Sequence, residues 1–291
     1  MLNFSNLKRI KASIDLFFEF ILFAIFNIFK FKCLNIPRTK CSSKELYKKN
    51  VYVIGAGPSL NKDLNKINFI SDNDEIFVSN WFALTELWND LKPAHYIFAD
   101  PGLWTNDYNG THLENKKINL YKELSQVKWK LNLYIPDTSL SFIKPALENN
   151  LNIKFVVYPT RSSYQKNIKS RSTLIANRIV PPKICNAILV AIWISIMSKP
   201  KNIFLYGLDS DGFKNLETDQ KTNEVKAGLS HFYDKKYIPE KKKNSKMLYQ
   251  RFEQIYIMFR EFQVISIVAK SKGIQIKNFS NFSMLDNFPR K

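Results

Sequence analysis

At 291 residues, 45% of them hydrophobic, the chain can bury a full core in one large domain, or in one domain with appendages, which excludes a disordered tail. Its formal net charge of +19 points to an anionic partner: a nucleic acid, an acidic membrane or a phosphate-bearing substrate. Cys33, Cys41 and Cys185 lack the paired spacing of a disulfide framework or a zinc site and fit a reducing compartment.

The first predicted element covers Ala12 to Phe31, "ASIDLFFEFILFAIFNIFKF", with Lys8, Arg9 and Lys11 before it and Lys30 and Lys32 at its end. Asp15, Glu19 and Asn27 interrupt it, whereas a spanning helix needs about 20 largely uncharged apolar residues. No small-residue cleavage site precedes Pro37, so the pattern favours an interfacial helix, with its rings at the acyl boundary and its lysines at anionic headgroups. Packing on the protein's own core or on another subunit is the alternative. The polar, basic "NIPRTKCSSKELYKKN" reads as a linker, which divides the chain into residues 1–48 and a larger unit, 49–291.

From Lys49 the pattern alternates apolar strands with helical stretches. Strands are predicted at Val51 to Ile54, Glu75 to Val78, His95 to Ala99, Leu131 to Ile135, Ile153 to Tyr158, Ile203 to Tyr206 and Ile274 to Lys277. Helices are predicted over Asn186 to Ser198 and over the long run that closes at Gly273. Such alternation predicts an α/β fold with a mainly parallel, Rossmann-like sheet and helices on both faces.

In such sheets ligands bind beyond the carboxyl ends of the strands. After the first strand comes "GAGPSL", where Gly55, Gly57, Pro58 and Ser59 make a sharp turn whose backbone can approach a phosphate. A lone GxG is weak, because any tight strand-to-helix turn favours glycine. Asn80 follows the second strand and Asp100 the third; each alone is more often a turn or capping residue. In "PPKICNAILV", Asn186 reads as a helix N-cap, so Lys183 and the first helical amides are candidates to face an anion.

After the next strand, "YGLDSDGF" offers Gly207 and Asp209 as further candidates to bind the donor nucleotide, with Asp211 two residues on. The two carboxylates could hold a divalent cation or form a hydrogen-bonded turn. The polar stretch from Lys214 to Lys226 contains no convincing element and reads as the start of a loop or lid, placed at about 210–246. His231 lies in it; among the three histidines it has the best surroundings for a general base.

The order "VIGAGPSL", "SNWF", "ADPGLW", "PPKICNA", "FLYGLDSDG", "SHFYD" and "KNFSNFSMLDNFPR" resembles the bacterial sialyltransferases of glycosyltransferase family 42 and the wider group of GxGPSL proteins. That group includes hydroxymethylpterin pyrophosphokinase-like proteins. The resemblance covers about Lys49 to Arg290 and is most specific in the first and fifth motifs. It implies a variant GT-A fold and inverting, metal-free transfer of sialic acid or a related sugar from a CMP-sugar to a glycan or glycolipid. It assigns the nucleotide to Gly55, Gly57, Pro58, Ser59, Asn80 and Asp100, the phosphate side to Lys183, Cys185 and Asn186, and the base to His231. The sequence departs from the family at Ala56 and Asp100, where asparagines are usual, and in having no tyrosine after "GLDSDGF".

The expectation is therefore a glycosyltransferase of surface polysaccharide or lipooligosaccharide assembly, peripheral on the cytoplasmic face of the inner membrane, that needs no metal cofactor. The main alternative is a magnesium-dependent pyrophosphokinase using Asp209 and Asp211, or a transferase with another nucleotide or a phosphoribosyl donor. A nucleic-acid partner is disfavoured, because the basic residues lack an interleaved aromatic platform. The oligomeric state is left open.

Overall fold

The computed structural model describes Ile14, Phe17, Ile21 and residues 49–67, 70–71, 73–111, 113–162, 167–227 and 247–290. Ile14, Phe17 and Ile21 are helical; the rest of the N-terminal segment, His112, His231 and lid residues 228–246 lie outside the described residues. No helix among the described residues is long and apolar enough to cross a membrane.

Seven strands form one parallel sheet: β1 (Asn50–Ile54), β2 (Glu75–Ser79), β3 (His95–Ile97), β4 (Leu131–Pro136), β5 (Ile153–Tyr158), β6 (Asn202–Tyr206) and β9 (Gln275–Asn278). Their spatial order is β5-β4-β3-β2-β1-β6-β9. All seven coincide, to within a residue or two, with the apolar runs of the sequence. The first five strands grow outward from β1, and β6 then returns to its other side, so the topological switch lies between β1 and β6.

Alternation along each strand divides the core. Val51 and Val53 face one side with Phe77 and Ile97, under α6 (Ala187–Met197) and α7 (Leu248–Ser271). Ile54, Val78, Tyr96 and Leu133 belong to the other side with Leu60 of α1 (Leu60–Ile67), Trp88 of α2 (Leu87–Leu91), Leu120 of α3 (Leu113–Ser125) and Ile143 of α4 (Leu140–Leu147). α5 (Ile168–Ala176) packs on α7. The sequence of α6, "AILVAIWISIM", is apolar on every side, as a helix buried between sheet and outer helices requires. Asn186 caps it as expected, its Oδ1 accepting from Ile188 N at 2.8 Å.

One expectation fails. The polar stretch from Lys214 holds a two-stranded hairpin, β7 (Leu216–Thr218) and β8 (Val225–Ala227), antiparallel with Thr218 opposite Val225. Its turn is organised by Asp219, whose Oδ1 accepts from Lys221 N at 2.9 Å and Thr222 N at 3.0 Å. Such an Asx turn is built from polar residues that hydropathy does not separate from a loop.

Candidate active site

The glycine turn after β1 is bonded closely to the loop after β6. Gly55 N donates to Tyr206 O at 2.8 Å, Gly57 N to Gly207 O at 2.9 Å, and Ser59 N to Asp209 Oδ2 at 2.9 Å; Ser59 Oγ donates to Asp209 Oδ1. A Cβ on Gly57 would lie 2.4 Å from Asp209 Oδ1, and one on Gly55 2.4 Å from Gly207 O. Gly207 itself has φ +62°, a left-handed backbone that suits glycine. The glycines are therefore required by the approach of one loop to another, before any ligand is considered. The amides of Gly55, Gly57 and Ser59, offered by the sequence as phosphate donors, are engaged within the chain.

Asp209 is buried, and that burial raises its pKa above the ordinary carboxylate value. The two hydrogen bonds from Ser59 oppose the shift, while the charges of Asp211 and Asp63 add to it. A cation at Asp209 would have to share its oxygens with Ser59. Among the described residues no group of three or more His, Cys, Asp or Glu is arranged to hold a metal ion.

Asn80 and Asp100 stand at the ends of β2 and β3, one and two strands from the glycine turn. Asn80 has φ +50°, a conformation that asparagine tolerates better than most residues. Its Oδ1 accepts from Ala99 N at 3.0 Å and Asp100 N at 3.3 Å, which ties the two strand ends together. This fixes the amide with its NH2 group as the remaining polar group. Asp100 caps the short turn Pro101–Leu103, accepting from Gly102 N at 3.1 Å and from the Tyr108 hydroxyl. Trp81 lies 5.7 Å from the Tyr108 ring, with the Lys116 ammonium 5.3 Å above its centroid, so an aromatic wall flanks this edge.

Since α6 packs on β1, β2 and β3 and its C-terminal end leads into the start of β6, its N-terminus lies toward the same carboxyl rim. Lys183 is exposed, and its backbone N–H donates to Glu261 Oε2 at 2.8 Å. Cys185 is exposed at residue level, yet the protein packed around its thiol and the Glu261 charge push its pKa up to about 12, which keeps it protonated.

The segment after β9 braces the assembly from the far side. Leu208 N donates to Ser280 Oγ at 2.9 Å, Met284 N to Asp209 O at 2.8 Å, and Asn281 N to Asp63 Oδ1 at 3.0 Å. Nothing local in the sequence of this segment marks that bracing role.

The structure thus brings Gly55, Gly57, Pro58, Ser59, Gly207 and Asp209 into one bonded unit, with Asn80 and Asp100 at the adjoining strand ends and Lys183, Cys185 and Asn186 at the helix that underlies them. Asp211 precedes the short helical turn Gly212–Asn215, close enough to act on Asp209. His231 lies outside the described residues. Asp63, Tyr108, Arg171, Glu261 and Ser280 were missed. Asp63 alone had a local signal, an acid in the first turn of a helix.

No family profile matches the chain, and none of the curated proteins does. Among solved structures, the MAf glycosyltransferase from Magnetospirillum magneticum AMB-1 is similar over 87% of this chain, at 14% sequence identity and a TM-score of 0.45. The chain spans 37% of the length of that protein.

Proposed function

We propose that the protein is an inverting glycosyltransferase that takes sialic acid or a related sugar from a CMP-sugar and passes it to a glycan or glycolipid hydroxyl. The observation that carries this reading is the convergence of Gly55 to Ser59, Asn80, Asp100 and the N-terminus of α6 at the carboxyl rim of neighbouring parallel strands, beside the topological switch. The motif order from "VIGAGPSL" to "SHFYD" supports the donor class. In this reading Asn80 and Asp100 hold the nucleoside, and Lys183 with the first amides of α6 stabilises the departing phosphate. His231 removes the acceptor proton as the sugar passes through an oxocarbenium-like state. The basic, apolar N-terminal segment holds the enzyme peripherally on the cytoplasmic membrane face, where a lipid-linked acceptor is presented.

A thermal-shift panel of CMP, UDP, GDP, ADP and phosphoribosyl pyrophosphate tests the donor. A ligand at 100 times its Kd stabilises by about 2.7 kcal/mol, so CMP is expected to raise the melting temperature most. A preference for UDP or GDP with Mn2+ would overturn the reading. His231→Ala is expected to abolish transfer from a CMP-sugar while leaving the CMP-induced shift nearly intact; full residual activity would remove His231 as the base.

A further inference from the structure

Between α5 and α7 lies an ion pair withdrawn from solvent. Arg171 Nε donates to Glu261 Oε1 at 2.6 Å and Arg171 Nη2 to Glu261 Oε2 at 2.7 Å, with both side chains 1% exposed. A buried pair of this kind is poor support for stability on its own, because desolvating two charges offsets most of their attraction and apolar side chains would join the helices about as well. The bonds that leave the pair are more informative. Glu261 Oε2 also accepts the backbone N–H of Lys183 at 2.8 Å. Arg171 Nη2 also donates to Ser162 Oγ at 2.9 Å, and that hydroxyl donates to Pro181 O at 2.8 Å. Pro181 and Pro182 have no N–H, so Lys183 supplies the first backbone donor after them. Both ends of Pro181–Lys183 are therefore tied to one charged pair whose members are 90 residues apart in the chain.

We infer that Arg171 and Glu261 are positioning residues: through Ser162 and the Lys183 amide they fix the segment that carries Lys183 and Cys185 and sets the N-terminus of α6 at the carboxyl rim. The segment enters α6 with no regular structure of its own, so these bonds hold a stretch of backbone that no helix or strand ladder fixes. The part of this inference that concerns ligand affinity rests on the nucleotide-binding reading above; the part that concerns the segment does not.

The test is the full-length double variant Arg171→Met/Glu261→Met, which replaces the pair with apolar side chains and removes both anchors. Three measurements are made: melting temperature, amide hydrogen exchange across residues 183–188, and CMP affinity by calorimetry. The expected result is a melting temperature near that of the wild type, exchange at Lys183 about tenfold faster, and CMP binding weakened by about tenfold, as befits loss of a charge-assisted hydrogen bond. A merely structural pair would instead lower the melting temperature and leave local exchange and affinity in step with it. Unchanged exchange in a stable variant overturns the inference. Faster exchange with unchanged CMP affinity overturns the link between segment and ligand. If the wild type does not bind CMP, the nucleotide reading fails, and the exchange data alone decide whether the pair positions the segment. Should the double variant not fold, Ser162→Ala removes the Pro181 anchor and leaves the pair intact, with faster exchange at 183–188 again expected and unchanged exchange contradicting the inference.

Discussion

Both oxygens of Asp209 are taken by Ser59, and burial holds the carboxyl above its ordinary pKa despite those bonds. An acid whose folded pKa exceeds its unfolded one adds stability below the unfolded value and loses it as pH rises through the folded value, so at neutral pH its charge is a burden to the turn. Asp209→Asn removes that charge and retains an acceptor for Ser59 N; it is expected to leave stability within about 1 kcal/mol of the wild type. Asp209→Ala strands the buried Ser59 N–H and is expected to cost about 1–3 kcal/mol, read from urea denaturation. Equal losses in the two variants would show that the carboxylate, rather than the acceptor, holds the turn. Asn80 illustrates the same lesson with another polarity. Once its oxygen is committed to Ala99 and Asp100, only its amide donor is left to meet an acceptor on a ligand.

The strands also carry a charged clamp at their amino ends. His95 lies against Phe77, its ring 4.1 Å away and nearly parallel, and contacts Tyr134 Oη and Glu75 Oε2, each at 3.0 Å; Lys49 reaches Glu75 Oε1 at 2.6 Å. The clamp therefore spans β2, β3 and β4. Burial alone would raise the Glu75 carboxyl, but the hydrogen bonds from His95 and Lys49, with their charges, outweigh it and leave the pKa below its ordinary value. Stability from such a group is present above the unfolded pKa and is lost as pH falls through the folded one. Denaturation between about pH 5 and about pH 3 should therefore cost the wild type more than Glu75→Gln, and parallel pH curves would refute the clamp.

The strands themselves were legible because each is a short apolar, β-branched or aromatic run bounded by turn residues, and α6 was legible from its cap and its apolar sequence. The β7–β8 hairpin was not, since its strands are short and polar. In the glycine turn the residue types were visible, but Asp209, 150 positions from Ser59, was not a visible partner. The Arg171–Glu261 pair was equally hidden, because two charged residues far apart in sequence read as ordinary surface until helix packing removes both from water.

At the scale of the molecule, the sheet order decides which groups can meet. Because β1 lies between β2 and β6, the ends of strands from both halves of the chain flank one turn, while α6 passes beneath β1, β2 and β3 with its N-terminus toward them. The net charge of +19 suits an anionic ligand and an anionic membrane alike, so it supports the proposed function less than this placement does. The bracing of the glycine turn by Ser280, Asn281 and Met284 has a consequence for biosynthesis. A nascent chain can form β1 through β5 in order, with each crossover closing locally, but its first turn meets Asp209 only 150 positions later and gains the bracing bond from Asn281 to Asp63 across 218, so the earliest loop to be translated is among the last to become rigid.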